Sequence, residues 1–281
     1  MRKTIICAVS ALVVMAVGCK SVSEEQKVSD YEAKVEALME SYQTKTDAIV
    51  NDSTLTDEAR RASLESLYNE TLEEYLADAK SVIKKNPSSP VALVALKEVY
   101  SSLEDAELEE FIGIIKGDVA DTSAFIASLK EALASKKATA EGQMFTDFTI
   151  VQDPDNAETS TVKFSDYVGN GKYVLVDFWA SWCGPCKREI PNIAAVYDKY
   201  KGDDFDVLSV AVWDKPEDTK KAAAEHGVVW NQIINAQKIP TDIYGIEGIP
   251  HIMLVGPDGT IVKRDLRGEN IEKAVAEALG R

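Results

Sequence analysis

Apolar residues recur at two different spacings along this chain, and the spacing changes near residue 140. From residue 28 the spacing is three and four. Val28, Tyr31, Val35, Leu38, Tyr42 and Ile49 make one stripe, interrupted at Lys45, which predicts an amphipathic helix. After the turn "NDSTLTDEAR", with Thr56 placed to cap, Leu64, Leu67, Thr71, Tyr75, Ala79 and Val82 make a second. "NPSSP" ends that helix, and Pro90, suited to a first helical position, opens a third through "VALVALKEVYSSL". Two further segments, roughly 104–116 and 122–137, are split at Gly117. Helices with almost no strand signal predict a small all-α domain over residues 28–140, its stripes buried against one another.

From Glu141 the pattern shortens. "GQMFTDFTIVQ" and "TSTVKFSDYV" read as short strands around the polar stretch "DPDNAET". "KYVLVDFWA" is a continuous apolar run with one acid in it, which predicts a central strand buried on both faces. Helical "CGPCKREIPNIAAVYDKY", a buried strand "FDVLSVAV" and an amphipathic helix "KPEDTKKAAAEHG" follow. "HIMLVGPDGTIVKRDLRG" predicts a hairpin turning at Pro-Asp-Gly, and "ENIEKAVAEALG" a last helix. Strands alternating with helices imply an α/β sheet covered on both sides, over residues 141–281.

The first residues carry a different message. Arg2 and Lys3 precede an apolar run from Ile5 to Val17, broken only by Ser10. The run is short for a membrane span and has the layout of a secretory signal over residues 1–18. It ends "AVGCK", which resembles the bacterial lipobox, although Ala16 stands where that pattern prefers Leu. The resemblance implies lipidation of Cys19, a polar tether over 19–27, and loss of Cys7 with the signal. It places the protein in the bacterial cell envelope. Lys20, rather than Asp, after the lipidated cysteine points to the outer membrane more than the inner.

Charge narrows the partners. The net charge of −16 argues against nucleic acid and against electrostatic binding to anionic lipid. Membrane contact is therefore expected from the acyl chains on Cys19.

Four cysteines are present, and after processing only Cys183 and Cys186 remain as thiols. An exported protein usually spends its cysteines on structural bridges. Here nothing is left to bridge except the pair itself. A zinc site needs about four ligands, and a Pro-containing spacer that opens a helix is a poor start for one, so no metal is expected even with His226 and His251 counted. Redox exchange is the expected chemistry. Cys183 falls where a strand gives way to a helix, so unpaired backbone N–H groups and the helix dipole favour its thiolate. It should open a substrate disulfide from an exposed helix terminus. Cys186, one helical turn on, should resolve the mixed disulfide. Gly184 permits close approach of a substrate, Pro185 fits an early helical position, and Pro191 should kink the helix. By position, Trp182 lines the substrate surface while Trp179 belongs to the core.

Those residues carry a resemblance. "VLVDFWASWCGPCK" resembles the active-site signature of the thioredoxin superfamily, and "YGIEGIPHIMLVGPDG" its later loop with a cis-proline, here Pro250. "EGQMFTDFTI" and the long segment between "SVAVWD" and "YGI" are similar to exported, membrane-anchored thiol–disulfide oxidoreductases of the TlpA and ResA type. The resemblance covers residues 141–281 and implies a thioredoxin-like fold there, behind the all-α domain. It also implies that Pro250 stands beside Cys183, with the Ile249 backbone free to pair with an extended substrate. Asp177 matches the thioredoxin aspartate that accepts a proton from the second cysteine, and burial should raise its pKa. The plainer reading is an acid paired with a lysine. His251 replaces the threonine usual after this proline, and either tunes the site or is a strand residue at its rim. His226 is expected on a helix surface.

The implied activity is reduction of disulfides in exported proteins, recharged by a membrane thiol-transferring reductase, with no cofactor beyond the Cys183–Cys186 disulfide. Two alternatives stand beside it. A peroxiredoxin-like peroxidase would need a Thr-x-x before its cysteine, where Ala180 stands. A non-catalytic binding module would have no use for an exchangeable pair.

Overall fold

The computed structural model describes residues 22–281. The expected signal, Cys7, the lipidation site Cys19 and Lys20 lie outside the described residues. The described residues divide into two compact units on either side of 122/123.

In the first unit, helix α1 spans Glu24–Asn51 and α2 spans Asp57–Lys85. The polar tether expected to reach residue 27 therefore ends at Ser23, whose hydroxyl accepts from the Gln26 N–H at 3.1 Å. Glu24 and Glu25 in the first turn suit the positive end of the helix. Thr56 caps α2 as expected, accepting from the Ala59 N–H. Helix α3, Pro90–Val99, is the core: Val91, Ala92, Ala95, Leu96 and Val99 are all buried. Helix α4, Asp105–Ile114, adds Leu108, Phe111 and Ile112, and a single turn, α5, runs Asp118–Asp121.

The second unit begins with helix α6, Ala124–Ala138. The boundary expected at 140/141 thus moves to 122/123. The physical reason is a close helix contact. Helix α10, Ile239–Tyr244, ends at Gly245, whose backbone is left-handed (φ +60). A Cβ at Gly245 would stand 2.5 Å from the Ala132 carbonyl oxygen and 2.8 Å from the Lys136 nitrogen of α6. Only glycine permits that approach. Arg264 completes the join, with Nη1 donating to the Thr139 carbonyl at 2.8 Å and Nη2 to the Tyr244 carbonyl at 2.7 Å.

Strands β1, Thr149–Val151, and β2, Thr161–Lys163, pair antiparallel as a separate ribbon, with short helix α7, Ala157–Ser160, between them. The main sheet holds β3, Tyr173–Trp179; β4, Phe205–Ala211; β5, Asn231–Ile233; β6, His251–Val255; and β7, Ile261–Lys263. Their order is β5-β4-β3-β6-β7, with β3, β4 and β5 parallel and β6 and β7 antiparallel. Helix α8, Gly184–Tyr200, follows β3; α9, Pro216–His226, follows β4; and α11, Glu269–Leu279, ends the chain. One apolar layer gathers Leu175 and Trp179 of β3 with Ile190, Ile193 and Ile271. The other holds Val174, Val176 and Phe178 with Phe164 and Tyr244. Alternation along β3 therefore turns Asp177 towards the first layer, which also contains both cysteines.

Candidate active site

Strand β3 ends at Trp179, and a short turn carries the chain to Cys183, the N-cap of α8. Cys183 and Cys186 are joined in a disulfide, with Cα atoms 5.3 Å apart. The Cys186 N–H donates to Cys183 Sγ at 3.1 Å. Exposure does not separate the two sulfurs as expected: Cys183 is 3% exposed and Cys186 1%. What separates them is position, since Cys183 is the N-cap and its sulfur accepts the Cys186 N–H of the helix's first turn. A Cβ at Gly184 would meet only Arg188, at 3.8 Å. The glycine relieves no internal clash and leaves the surface low. Pro185 lies in the first turn and Pro191 inside the helix.

Ile249–Pro250 is a cis peptide bond, and the Ile249 carbonyl oxygen lies 3.7 Å from Cys183 Sγ. The two segments expected at one place are therefore at one place. Trp182 is 59% exposed, and its indole N–H donates to the Trp213 carbonyl at 3.0 Å. Trp179 is buried.

Asp177 is 1% exposed, and among the described residues no lysine pairs with it. Ser209 Oγ approaches its Oδ2 at 3.4 Å, while Oδ1 has no hydrogen-bond partner among the described residues. Burial pushes the carboxyl up to about 7; the Ser209 hydroxyl and the Arg267 charge oppose that rise, and Glu189 adds to it.

His251 opens β6 and is register partner to Phe178. It therefore faces the layer away from the cysteines. Its ring is buried, with Nδ1 2.8 Å from Asp265 Oδ1 and Nε2 3.3 Å from Arg264 Nε. Burial lowers its pKa, with Asp265 opposing. It is a strand residue gripped from two sides. His226 is exposed at the end of α9, as expected.

Sequence reasoning missed the side chains that brace the site. Asp214 is buried just past β4. Its carboxylate accepts from the Ser181 N–H at 2.7 Å, the Ser181 hydroxyl at 2.9 Å and the Thr219 hydroxyl at 2.9 Å. It fixes the turn that carries Trp182 and Cys183. Arg267 donates to the Pro250 carbonyl, and the Leu266 N–H donates to the Ile252 carbonyl at 2.9 Å. The segment "RDLR" thus holds the cis-proline strand from its far side. An acid three residues past a buried strand was the only signal for Asp214; "RDLR" gave none. Among the described residues, no group of three or more His, Cys, Asp or Glu is placed to hold a metal ion.

A disulfide spanning the first turn of a helix, a cis-proline beside it and a buried acid below it, on this sheet, define a thioredoxin-like thiol–disulfide exchange site. Residues 141–264 match the family described as AhpC/TSA. The thiol–disulfide oxidoreductase ResA of Geobacillus thermodenitrificans is 30% identical over 128 residues, which is 46% of this chain and 70% of that protein. ResA of Bacillus subtilis is 26% identical over 130 residues, 46% of this chain and 69% of that one. A solved thioredoxin domain of a thiol–disulfide oxidoreductase from Bacteroides vulgatus shares 34% identity, with a TM-score of 0.43, over 49% of this chain and 96% of that domain. The chain belongs to the ResA family of thiol–disulfide oxidoreductases.

Proposed function

We propose that this protein reduces disulfides in exported proteins, with Cys183 as attacking sulfur and Cys186 as resolving sulfur. The observation that carries the reading is the Cys186 N–H directed at Cys183 Sγ, 3.1 Å away, at the start of a 17-residue helix. In the dithiol form that N–H and the helix dipole stabilise a charged sulfur. The Cys183 thiolate attacks one sulfur of a client disulfide, and the other client sulfur leaves as a thiolate. Cys186 then gives its proton to Asp177 and attacks Cys183 Sγ. The mixed disulfide breaks, the client's second sulfur leaves as a thiolate, and the Cys183–Cys186 bond forms. Two electrons have passed to the client. With its carboxyl near 7, Asp177 both takes and gives up a proton at neutral pH.

The Ile249 backbone pairs with an extended client segment beside Pro250, and Trp182, Gly184 and Pro185 complete the contact surface. The Gly-Pro spacer is that of thioredoxin, whose potential lies near −270 mV, which sets the direction as reduction. A membrane thiol-transferring reductase then restores the dithiol, and no further cofactor enters the cycle. Lipid on Cys19 tethers the protein at the envelope, at the outer membrane by the Lys20 signal.

Insulin reduction and peroxide consumption, measured side by side, test this reading. Insulin reduction that needs both cysteines, with peroxide consumption at background, is expected. Cys186→Ser should accumulate clients bound to Cys183. Peroxide consumption with idle insulin reduction would replace the reading with a peroxidase. Inactivity in both assays would leave a binding module.

A further inference from the structure

Asp177 and Ser209 are register partners on neighbouring parallel strands, so their side chains share a face. Both are 1% exposed. A serine hydroxyl has one proton to give and two lone pairs. One lone pair of Ser209 is taken, because the indole N–H of buried Trp230 donates to it at 2.9 Å. An indole N–H can only donate, so this bond fixes the direction of the series. The Ser209 proton is left for Asp177 Oδ2, 3.4 Å away. Asp177 Oδ1 is buried with no hydrogen-bond partner among the described residues. The two carboxylate oxygens are therefore unlike: one faces a donor, and the other is open.

We infer that Ser209, oriented by Trp230, is a positioning residue that holds Asp177 with Oδ1 turned to receive the Cys186 proton. The inference rests on Asp177 being the proton acceptor, as proposed above. At 3.4 Å the Ser209 bond is long for O–H···O. Bonds to ionised acceptors are shorter and stronger, so it tightens when Asp177 carries charge and loosens when Oδ1 is protonated. Ser209 is also the strongest influence opposing burial at this carboxyl, ahead of Arg267. The Trp230 ring packs against Tyr197, with centroids 5.5 Å apart, which steadies the donor end.

The pH dependence of mixed-disulfide release from the full chain tests this, using Asp177→Asn, Ser209→Ala, Ser209→Thr and Trp230→Phe. The native rate is expected to rise with pH through a midpoint near 7. Ser209→Ala should move that midpoint about one pH unit alkaline, slowing release roughly tenfold on the acid side. Ser209→Thr keeps the hydroxyl and should restore the native midpoint. Trp230→Phe should shift it the same way as Ser209→Ala but less, and it carries the test if Ser209→Ala fails to fold. A Ser209 of purely structural value would change amplitude or melting temperature and leave the midpoint in place. That outcome, with Asp177→Asn abolishing the pH dependence, overturns the inference and spares the role of Asp177. Survival of the pH dependence in Asp177→Asn overturns both.

Discussion

A fragment starting at Glu141 keeps every strand and every residue of the exchange site, yet it should be markedly less stable than one starting at Ser123. The perturbation is the removal of α6 and the residues just after it. Arg264 then loses Thr139, whose carbonyl and hydroxyl accept from Nη1 at 2.8 and 2.9 Å. Thr139 is fully buried, so water does not stand in for it in the intact unit. A hydrogen bond to a charged group contributes about 1.5–3 kcal/mol. Arg264 is only half-buried, and solvent will recover part of the loss, so about 3 kcal/mol is the sum to expect from the two bonds. The figure leaves out the apolar side chains of α6 and is a minimum. A unit of this size loses about 2–4 °C of melting temperature per kcal/mol, hence roughly 6–12 °C.

Urea unfolding of both fragments, followed by far-ultraviolet circular dichroism and tryptophan fluorescence, measures the difference. Arg264→Met in the longer fragment should reproduce much of the drop, with the slope of the transition unchanged. The longer fragment should reduce a small aromatic disulfide as fast as the intact protein. Equal urea midpoints for the two fragments would refute the reasoning, because α6 would then be no part of the catalytic unit's fold.

Three further outcomes are expected. In the reduced protein, Cys183 should alkylate faster than Cys186 near neutral pH, although both are almost buried; mass spectrometry of partly modified protein checks this, and equal rates would remove the assigned roles. Asp177→Asn should gain stability over the native chain as pH rises. The folded carboxyl is raised from 3.8 to about 7, so its contribution is present below about 4 and lost as pH climbs through 7. The loss approaches about 4 kcal/mol well above 7, and a native melting temperature that stays level from pH 5 to 8 would contradict it. Asp214→Ala should raise KM for a protein client about tenfold, near 1.4 kcal/mol, while sparing a small disulfide; equal losses on both substrates would show that the turn does more than aim Trp182.

The exchange site was legible because its signals are local. A buried run, two cysteines at helical spacing and a proline between them specify strand, turn and helix without reference to distant residues. Pro250 was legible by resemblance alone, since Ile190-Pro191 and Ile239-Pro240 show the same dipeptide in helices. Helix α6 was assigned to the wrong unit because its stripe looks like those of α1 to α4. An amphipathic pattern announces that a face is buried and not what covers it. Strand β5 has three residues, and one ladder with β4 makes it a strand; so short a run gives no periodicity to read. The expected exposure of Cys183 failed because helix-terminal position says where N–H groups point. The neighbouring Ile249 segment, which covers the sulfur, arrives from 66 residues away.

The braces that escaped notice share a physical task. The four non-glycine residues with left-handed backbone among the described residues are Trp213 (φ 53), Asn235 (φ 61), Gln237 (φ 51) and Asp265 (φ 53). Such conformations cost about 1–3 kcal/mol each and persist where the surroundings over-determine them. The first three lie in the segments that leave β4 and β5. There the Trp213 N–H donates to the Gln237 carbonyl at 3.3 Å, and Gln237 Nε2 donates to the Asp214 carbonyl at 2.8 Å. The product of that strain is one carbonyl, on Trp213, turned to accept the Trp182 indole. Asp265 does the like on the other flank, holding the His251 ring next to Pro250. Open α/β sheets bind their ligands at the carboxyl ends of the strands, where loops from different strands converge. The residues that aim a site there are therefore distant in sequence from the residues that react, and they leave no spacing to read. On the proposed reading the two cysteines carry the chemistry, while Asp214, Gln237, Arg267 and Asp265 set where it points. Substitutions among those four should change which disulfides are reduced well before they change whether any are.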